Sequence, residues 1–207
     1  MSDRFGPLVR ARAAAAGLDV ADELLDALNA YLALLSRWNR KINLTAFDLD
    51  SPTESAIDRL VIEPLGAARL VRATDRCSID IGSGGGSPAI PLRLACPRLE
   101  MVLVEVRERK ASFLREVTRE LGLGNVRVAC EPFQEFATRS EWLGRADLVT
   151  MRAVRPDREI WQAARAVSAA GARFLWFHEI GETTNYGYWW AASPVSLSTD
   201  VAVLIAK

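Results

Sequence analysis

The first 70 residues carry apolar side chains at helical spacing. In "DELLDALNAYLALLSRWNR", residues 22–40, apolar residues recur three, four and seven positions apart and define one face of an amphipathic helix. A second helix is predicted over residues 50–71, because Ser51 or Thr53 can cap its start and Pro52 suits its first turn. Pro64 is expected to break or kink this helix, since proline lacks the backbone N–H that a helix interior uses.

From Cys77 onward, short apolar runs alternate with helical patterns. The predicted strands are "SIDIG", "EMVLVEV", "NVRVAC", "ADLVTMRAV" and "GARFLWFHE", followed by β-like runs around "YGYWWAAS" and "STDVAVLIAK". The predicted helices are "SPAIPLRLAC", "RERKASFLREVTRELGL", a weak one near "PFQEFATRSEWL", and "DREIWQAARAVSAA". This alternation predicts an α/β fold with right-handed crossovers and a mostly parallel seven-stranded sheet. We expect a helical extension over residues 1–72 and a sheet domain over residues 73–207, packed as one compact unit.

The composition argues against several classes of protein. Basic and acidic residues balance at 26 each, so nucleic-acid binding would need a local patch. The three cysteines, Cys77, Cys96 and Cys130, form no CxxC pair, which argues against a disulfide framework and a zinc site. No apolar run reaches the roughly 18 residues of a membrane span, and the N-terminus lacks the order of a signal peptide. We therefore expect a cytoplasmic protein.

The candidate chemistry lies where the first predicted strand ends. In "DIGSGGGSPAIPL" the strand runs to Asp80, and glycines follow at the alternating positions Gly82, Gly84 and Gly86. A strand, a glycine loop and a helix in this order bring backbone N–H groups against a ligand. The dinucleotide fingerprint G-x-G-x-x-G does not fit, because Ser87 stands at its third glycine position. The pattern D-x-G-x-G-x-G instead resembles motif I of class I S-adenosylmethionine-dependent methyltransferases.

An acidic residue ends the next predicted strand. Glu105 follows "MVLV", and a carboxylate at this position can accept hydrogen bonds from both hydroxyls of a ribose. The order strand, glycines, helix, strand and acid predicts a site for an adenosine-containing cofactor. The alternative is a glycine-rich turn that binds nothing, which leaves the position of Glu105 unexplained.

Further motifs resemble one protein family. "LLSRWNRKINLTAF" is similar to the W-N-x-x-x-N-L-T motif of the RsmG (GidB) family, and "DIGSGGGSPAIPL" is similar to its D-x-G-S-G-x-G-F-P-G-I-P-L. "LVEVRERKASFLREVTRELGLGNV" and "LVTMRAV" follow the family's later segments, so the resemblance covers residues 20–175. It implies a Rossmann-like class I methyltransferase fold, S-adenosylmethionine as cofactor, and methylation of N7 of one guanine in 16S rRNA of the small ribosomal subunit. A diverged methyltransferase acting on a small molecule or protein, and a non-catalytic RNA-binding relative, stay open as alternatives.

The resemblance also implies positions in the site. Gly82 and Ser87 would line the cofactor, while Gly84 and Gly86 would form the turn. The implied cofactor-binding residues are Asp80, Gly82, Gly84, Gly86, Ser87, Glu105, Val106, Arg107, Phe133, Gln134 and Arg152. The resemblance places Arg152 near the substrate as well, and the further candidate substrate-binding residues are Arg155, Arg109 and Lys110. Guanine N7 is an exposed lone pair that needs no deprotonation, so we expect neither a general base nor a metal. We also expect a monomer.

Two basic clusters are candidates for contact with RNA. One is interleaved with glutamates, so it is either an RNA-facing patch or a solvated helix face; it comprises Arg107, Arg109, Lys110, Arg115 and Arg119. The other comprises Arg37, Arg40 and Lys41 beside Trp38. Trp38 lies on the apolar helical stripe, which favours core packing over stacking on bases. Asn39 and Asn43 are expected to fasten the end of the helix.

The chain departs from the family pattern mainly on the expected substrate side. Leu60, Glu63 and Pro64 do not match the family's R-H-x-x-D-S-L, and Ser87 replaces an aromatic residue. The other departures are Ala89 in place of a glycine, Pro132 and Gln134 after the third strand, and the absence of Lys-Gly at "WFHEIGE". His178, the one histidine, cannot build a metal site alone, and a strand-end role without chemistry is favoured over catalysis.

Overall fold

The computed structural model describes residues 4–155 and 157–177, and the backbone of residues 191–193 and 201–205. Helices precede the sheet: α1 (Gly6–Ala15), α2 (Asp22–Asn39), α3 (Glu54–Ile57), a π-helical turn (Asp58–Ile62), α4 (Glu63–Ala67) and a 3₁₀ turn (Ala68–Leu70). The rest alternates: β1 (Cys77–Ile81), α5 (Ala89–Ala95), β2 (Glu100–Val104), α6 (Glu108–Glu120), β3 (Val126–Ala129), α7 (Phe133–Phe136), β4 (Ala146–Arg152), α8 (Arg158–Val167), β5 (Ser168–Phe177), β6 (Ala191–Ser193) and β7 (Val201–Ile205).

The strands form a seven-stranded sheet in the order β3-β2-β1-β4-β5-β7-β6. Strands β1 to β5 pair in parallel, whereas β7 pairs antiparallel with both β5 and β6. The predicted mostly parallel sheet is thereby confirmed. The chain order reverses at β1, whose neighbours are β2 and β4, so the crevice outside the carboxyl ends of these three strands is the expected ligand position.

Two hydrophobic clusters cover the two faces of the sheet. Alternate residues of a strand point to opposite faces. Leu103 therefore belongs to the cluster that contains residues of α1 to α6, whereas Val102 and Val104 belong to the cluster that contains residues of α7 and α8. The first cluster joins the N-terminal helices to the sheet through Tyr31, Phe113 and their neighbours. These helices and this face of the sheet therefore share one core.

The helical segment that begins at Glu54 continues through Pro64. The sequence predicts a break or a kink at Pro64: the chain stays helical there, but a π-helical turn over Asp58–Ile62 interrupts the α-helical pattern directly before α4. Thr53 caps the start, with its hydroxyl oxygen accepting a hydrogen bond from the N–H of Ala56 at 3.2 Å. A π turn adds one residue to the hydrogen-bonded ring, and this shift accommodates a residue without an N–H.

The boundary between α8 and β5 differs from the prediction. The sequence predicts helix through "SAA", but α8 ends at Val167 and β5 begins at Ser168. Ser168 pairs with Ala146 at the start of β4, so sheet pairing overrides the helical propensity of the alanines that follow. The weak helix predicted near "PFQEFATRSEWL" is a single turn, Phe133–Phe136.

Candidate functional site

The glycine loop connects β1 to α5 at the carboxyl edge of the sheet. Gly82, Gly84 and Gly86 have φ angles of +67°, +49° and +86°, a left-handed conformation that favours glycine. The alternating glycines of the sequence are therefore the positions where the backbone requires them. A Cβ at Gly82 would also lie 2.6 Å from Cγ2 of Val154, in the loop after β4.

The other glycines of the loop are confined by the N-terminal helices. A Cβ at Gly85 would lie 3.0 Å from the carbonyl oxygen of Leu44 and 3.3 Å from Cδ1 of Leu35. A Cβ at Gly86 would lie 2.9 Å from Cγ1 of Ile90 and 3.4 Å from Cε2 of Tyr31. The close approach that excludes side chains here is thus made by the protein itself.

Tyr31 ties α2 to the loop by a hydrogen bond. Its buried hydroxyl donates to the carbonyl oxygen of Gly85 at 2.7 Å, and burial raises the pKa of this phenol. The segment that follows α2 is fixed by Asn39, whose side-chain oxygen accepts hydrogen bonds from the N–H groups of Leu44 and Thr45 at 2.9 and 3.0 Å. The fastening role predicted for Asn39 is confirmed, whereas Asn43 is exposed.

Glu105 holds the glycine loop through two hydrogen bonds from backbone N–H groups. Its carboxylate is buried directly after β2, where one oxygen accepts a hydrogen bond from the N–H of Gly84 at 2.9 Å. The other oxygen accepts from the N–H of Arg107 at 2.8 Å. Each carboxylate oxygen has a second lone pair, so Glu105 can accept further hydrogen bonds from a ligand.

Asp80 lies buried at the end of β1 with one oxygen unpaired. Thr150 donates a hydrogen bond to its Oδ1 at 2.5 Å, while Oδ2 has no hydrogen-bond partner among the described residues. Burial raises the pKa of Asp80 from 3.8 to about 6, against the opposing effects of hydrogen bonds from Ser83 and Thr150 and the charge of Arg152. A buried acceptor of this kind suits a positively charged donor.

Arg152 ends β4 and reaches back to the N-terminal helices. Its guanidinium donates to the carbonyl oxygen of Arg59 and, at 2.8 Å, to the carboxylate of Glu63. It also lies over the ring of Phe177, with Cζ 4.6 Å from the ring centroid. Its Nε has no hydrogen-bond partner among the described residues, and burial lowers the pKa of the guanidinium.

Glu63 is a site residue that the sequence does not identify. Its side chain is 5% exposed and lies between two guanidiniums, 2.8 Å from Arg152 and 3.6 Å from Arg59. Glu63 keeps the carboxylate that R-H-x-x-D-S-L has at this position, so the departure there is one methylene. The signal that could have identified it is a carboxylate inside an otherwise apolar stretch of helix.

The structure places the hydroxyl of Ser87 towards the helical segment Glu54–Ala67. Ser87 donates a hydrogen bond to the carbonyl oxygen of Leu60 at 2.9 Å. In an α-helix this carbonyl would accept from residue 64, but Pro64 has no N–H. Ser87 therefore satisfies a group of the N-terminal helices, which does not require contact with a cofactor.

The remaining predicted residues follow β2 or β4, and most of them are exposed. Val106 is 59% exposed, and Arg107, Arg109 and Arg155 are also exposed. Lys110 comes closest to the glycine loop, because its Nζ would lie 4.0 Å from a Cβ on Gly84. The four basic residues follow the carboxyl ends of β2 and β4, at the edge of the sheet that carries the glycine loop, and we call them the basic rim: Arg107, Arg109, Lys110 and Arg155.

Phe133, the first residue of α7, is buried in the second hydrophobic cluster. It is 6% exposed and stacks on Phe136 at 6.2 Å between ring centroids, and Phe136 stacks on Trp142 at 5.3 Å. Gln134 is partly exposed in the same turn. Of this predicted pair, Gln134 has the side chain more available to a ligand.

The basic clusters are extensively paired with acids. Arg37 pairs with Glu116, which links α2 to α6. Arg40, directly after α2, pairs at 2.6 Å with Asp50 in the segment between α2 and α3. Two further pairs lie on α6, Arg115 with Glu108 and Arg119 with Glu120, both at 2.7 Å. The solvated-face interpretation therefore fits Arg115 and Arg119.

Trp38 packs against α6. Its ring centroid lies 5.9 Å from that of Phe113, and the side chain is partly buried against the first cluster. The core-packing prediction is confirmed. His178 and the "YGYWW" run lie outside the described residues.

The buried polar groups around the loop fit the amino-acid end of S-adenosylmethionine. Asp80 offers an unpaired acceptor, and Arg152 offers an unpaired donor on the neighbouring strand. The methionine part of the cofactor carries an ammonium and a carboxylate, which match these two groups in charge and in hydrogen bonding. Glu105 and the exposed Val106 lie at the end of β2, where a ribose and an adenine edge would follow.

Other kinds of site receive less support. Among the described residues, no group of three or more His, Cys, Asp or Glu side chains could hold a metal ion. No helix in the described part of the chain has both the length and the apolar character to cross a membrane.

Comparison with known sequences agrees with these features. Residues 24–184 match the profile of the GidB family, rRNA small subunit methyltransferase G. The ribosomal RNA small subunit methyltransferase G of Stenotrophomonas maltophilia is 43% identical over 143 residues, which are 68% of this chain and 61% of that protein. The same-named protein of Ralstonia nicotianae is 35% identical over 178 residues, covering 73% of this chain and 80% of the relative. The chain thus spans 61% of the length of the first of these curated relatives.

Comparison with solved structures supports the fold. A SAM-dependent methyltransferase from Aquifex aeolicus has a TM-score of 0.57 at 13% identity, covering 83% of this chain and 97% of that chain. A putative S-adenosyl-L-methionine-dependent methyltransferase from Methanococcus maripaludis has a TM-score of 0.53 at 12% identity, covering 70% and 84%. The sheet order and these likenesses together establish the Rossmann-like methyltransferase fold.

Proposed function

Since the chain belongs to the rRNA small subunit methyltransferase G family, we propose that it transfers a methyl group from S-adenosylmethionine to N7 of a guanine in 16S rRNA. One structural observation carries the proposal: an unpaired buried acceptor and an unpaired buried donor flank the glycine loop on adjacent strands. The cofactor has the complementary charges, and the family match supplies the substrate class.

Each part of the cofactor has a proposed partner in the chain. Asp80 would accept from the methionine ammonium and Arg152 would donate to its carboxylate. Glu105 would accept from the ribose hydroxyls, while Val106, Arg107 and Gln134 would lie along the adenine edge. Gly82, Gly84 and Gly86 keep the loop backbone close to the ligand. Ser87 and Phe133 would act indirectly, by holding the loop and the turn after β3.

Catalysis would consist mainly of positioning and exclusion of water. The bound cofactor supplies an electrophilic methyl group. N7 of guanine presents a lone pair in the major groove, so the protein needs no side chain to remove a proton before attack. The chain's contribution would be to hold the guanine in line with the methyl group and to dehydrate the site.

The basic rim is the proposed rRNA contact. Arg107, Arg109 and Arg155 are exposed there, and Lys110 overhangs Gly84. These cations would contact phosphates or orient the target guanine, since fork-shaped arginine side chains suit phosphate oxygens. Loss of two rim charges in Arg109→Gln/Lys110→Gln should weaken rRNA binding and flatten its salt dependence.

We propose that residues 1–72 form an extension that covers one side of the cofactor mouth. Contacts from Tyr31 to Gly85 and from Glu63 to Arg152 support this position. We further propose a cytoplasmic monomer. Among the described residues, the exposed large hydrophobic side chains are Val106 and Leu143, which are too scattered for an extensive apolar interface.

Two measurements test the proposed function. Calorimetry should detect binding of S-adenosylmethionine, and absence of measurable affinity would support a non-catalytic RNA-binding protein. Small ribosomal subunits that lack the family's methyl group should then accept a methyl from the cofactor. Intact cofactor binding without transfer to rRNA would support a methyltransferase for a small molecule or protein.

A further inference from the structure

The π turn before Pro64 leaves one helical carbonyl group without a backbone donor. The N–H of Glu63 donates to the carbonyl of Asp58, five residues earlier, so it does not serve Arg59 in the α-helical manner. The next candidate donor for the Arg59 carbonyl is residue 64, which is proline and has no N–H. The guanidinium of Arg152 fills this position.

The same guanidinium is held from a second side by Glu63. The carboxylate of Glu63 accepts a hydrogen bond from Arg152 at 2.8 Å, and the two side chains are 5% and 12% exposed. The helical segment thus offers Arg152 a carbonyl and a carboxylate one turn apart. This arrangement fixes the guanidinium at the carboxyl end of β4.

Glu63 is also the carboxylate that offsets two positive charges. Arg59 lies 3.6 Å from it on the other side, and the charge of Arg59 acts on Arg152. Without Glu63, two guanidiniums would face each other in a partly buried position. Coulomb interactions are stronger there than in water, so the local potential would become more positive.

This charge cluster adjoins the glycine loop. Arg152 follows Met151, which pairs with Ile81 at the end of β1, and Ser87 after the glycines donates a hydrogen bond to the carbonyl of Leu60, the neighbour of Arg59. A cofactor held at this loop would bring a sulfonium cation close to the cluster. An uncompensated arginine pair would repel that cation.

We propose that Glu63 is a positioning residue that holds Arg152 and offsets its charge, and that its negative charge raises the affinity of the site for the positively charged cofactor relative to the neutral product. The proposal rests on the proposed function, because it presumes that S-adenosylmethionine binds at the glycine loop. The product, S-adenosylhomocysteine, has the same groups but a neutral thioether. The ratio of the two dissociation constants therefore reports the charge at the site.

The test measures both ligands by calorimetry with purified full-length protein. Glu63→Gln keeps the shape and one hydrogen-bond acceptor, but it removes the negative charge. We expect Glu63→Gln to weaken the binding of S-adenosylmethionine by about three- to tenfold more than the binding of S-adenosylhomocysteine. Arg152→Gln removes the positive charge and leaves Glu63 paired with Arg59. We expect this variant to shift the ratio of the two dissociation constants in the opposite direction, in favour of S-adenosylmethionine.

A second buried ion pair supplies the control. Arg173 pairs with Asp75, both less than a tenth exposed, at the opposite edge of the sheet where β1 begins. Asp75→Asn removes the negative charge of this pair and should leave the ratio of dissociation constants unchanged. Circular dichroism checks that each variant is folded.

The outcomes separate this inference from the proposed function. Opposite shifts of the ratio in Glu63→Gln and Arg152→Gln support the inference. Equal changes for both ligands in Glu63→Gln, as a structural role would give, overturn it while the proposed function stands. Should Glu63→Gln fail to fold, an unchanged ratio in Arg152→Gln overturns it. If the wild-type protein binds neither ligand, the proposed function fails as well.

Discussion

Individual side chains at the loop have roles that their position in the sequence shows only in part. Glu105 was predictable as an acid at the end of a strand, because one residue type at one spacing carries that signal. Its contacts with the N–H groups of Gly84 and Arg107 depend on how the loop folds back. Tyr31 could not be predicted, because it reaches the loop from a distant helix and looks like an ordinary core residue in sequence. The sequence marks Glu63 only as a carboxylate in an apolar stretch and does not show its pairing with Arg152.

The double role of Glu105 gives a sharp expectation for its removal. Glu105→Ala loses the proposed ribose acceptor and also frees the N–H of Gly84, so we expect S-adenosylmethionine affinity to fall by at least about tenfold. Calorimetry measures the affinity. Glu100→Ala, at the start of the same strand, is the control and should leave it unchanged. Unchanged affinity in Glu105→Ala would mean that the ribose lies elsewhere.

Burial of Asp80 makes protein stability depend on pH. Its pKa is raised from 3.8 to about 6 in the folded state, so folded protein retains a proton that unfolded protein releases between these values. Asp80 therefore destabilises the fold increasingly as pH rises from about 4 to about 6. We expect the stability of Asp80→Asn relative to wild type to rise by roughly 2–3 kcal/mol between pH 4 and pH 7. Urea unfolding at several pH values measures this difference, and parallel curves would contradict it.

The element whose form was hardest to predict is the helical segment from Glu54 to Ala67. Helical periodicity and the Thr53 cap predict where it begins, and Pro64 predicts a disturbance of the helix, but not that the disturbance takes the form of a π-helical turn. Continuity depends on two side chains from other elements, Ser87 and Arg152, which serve carbonyl groups near the proline. Local sequence cannot show partners that come from the loop after β1 and from β4.

The link between Ser87 and Pro64 can be measured as a coupling energy. Ser87→Ala removes the donor to the Leu60 carbonyl and should cost about 1 kcal/mol of unfolding free energy. In a Pro64→Ala background residue 64 regains an N–H that can donate to the Leu60 carbonyl in α-helical register, so the same change should cost less. Urea denaturation of the two single variants and the double variant gives the interaction energy. Additive costs would show that Ser87 does not compensate for Pro64.

In the whole molecule, the N-terminal helices pack directly against the glycine loop. The alternation of strands and helices was sufficient to predict the sheet, because βαβ connectivity leaves few arrangements. It did not predict that Gly85 would lie against Leu44 and Leu35. That contact depends on how the N-terminal helices dock on the sheet, which local periodicity does not encode.

Gly85→Ala tests this docking. The φ angle of Gly85 is not in the left-handed region, so the added methyl acts through its contacts at 3.0 and 3.3 Å with the Leu44 carbonyl and Leu35. We expect lower stability together with weaker binding of S-adenosylmethionine. Gly66→Ala is the matched control, because no atom lies within 4 Å of its added Cβ. It should leave affinity unchanged and stabilise α4 by about 0.5–1 kcal/mol. Unaltered affinity in Gly85→Ala would separate the extension from the cofactor site.

The proposed function is tested most directly by transfer of a methyl group to rRNA. Purified protein is incubated with isotopically labelled S-adenosylmethionine and small ribosomal subunits that lack the family's modification. The methylated base is then mapped by reductive cleavage, to which N7-methylguanine is sensitive. We expect label at N7 of a single guanine in 16S rRNA. Label on another atom or base, or cofactor binding without any label in rRNA, would contradict it.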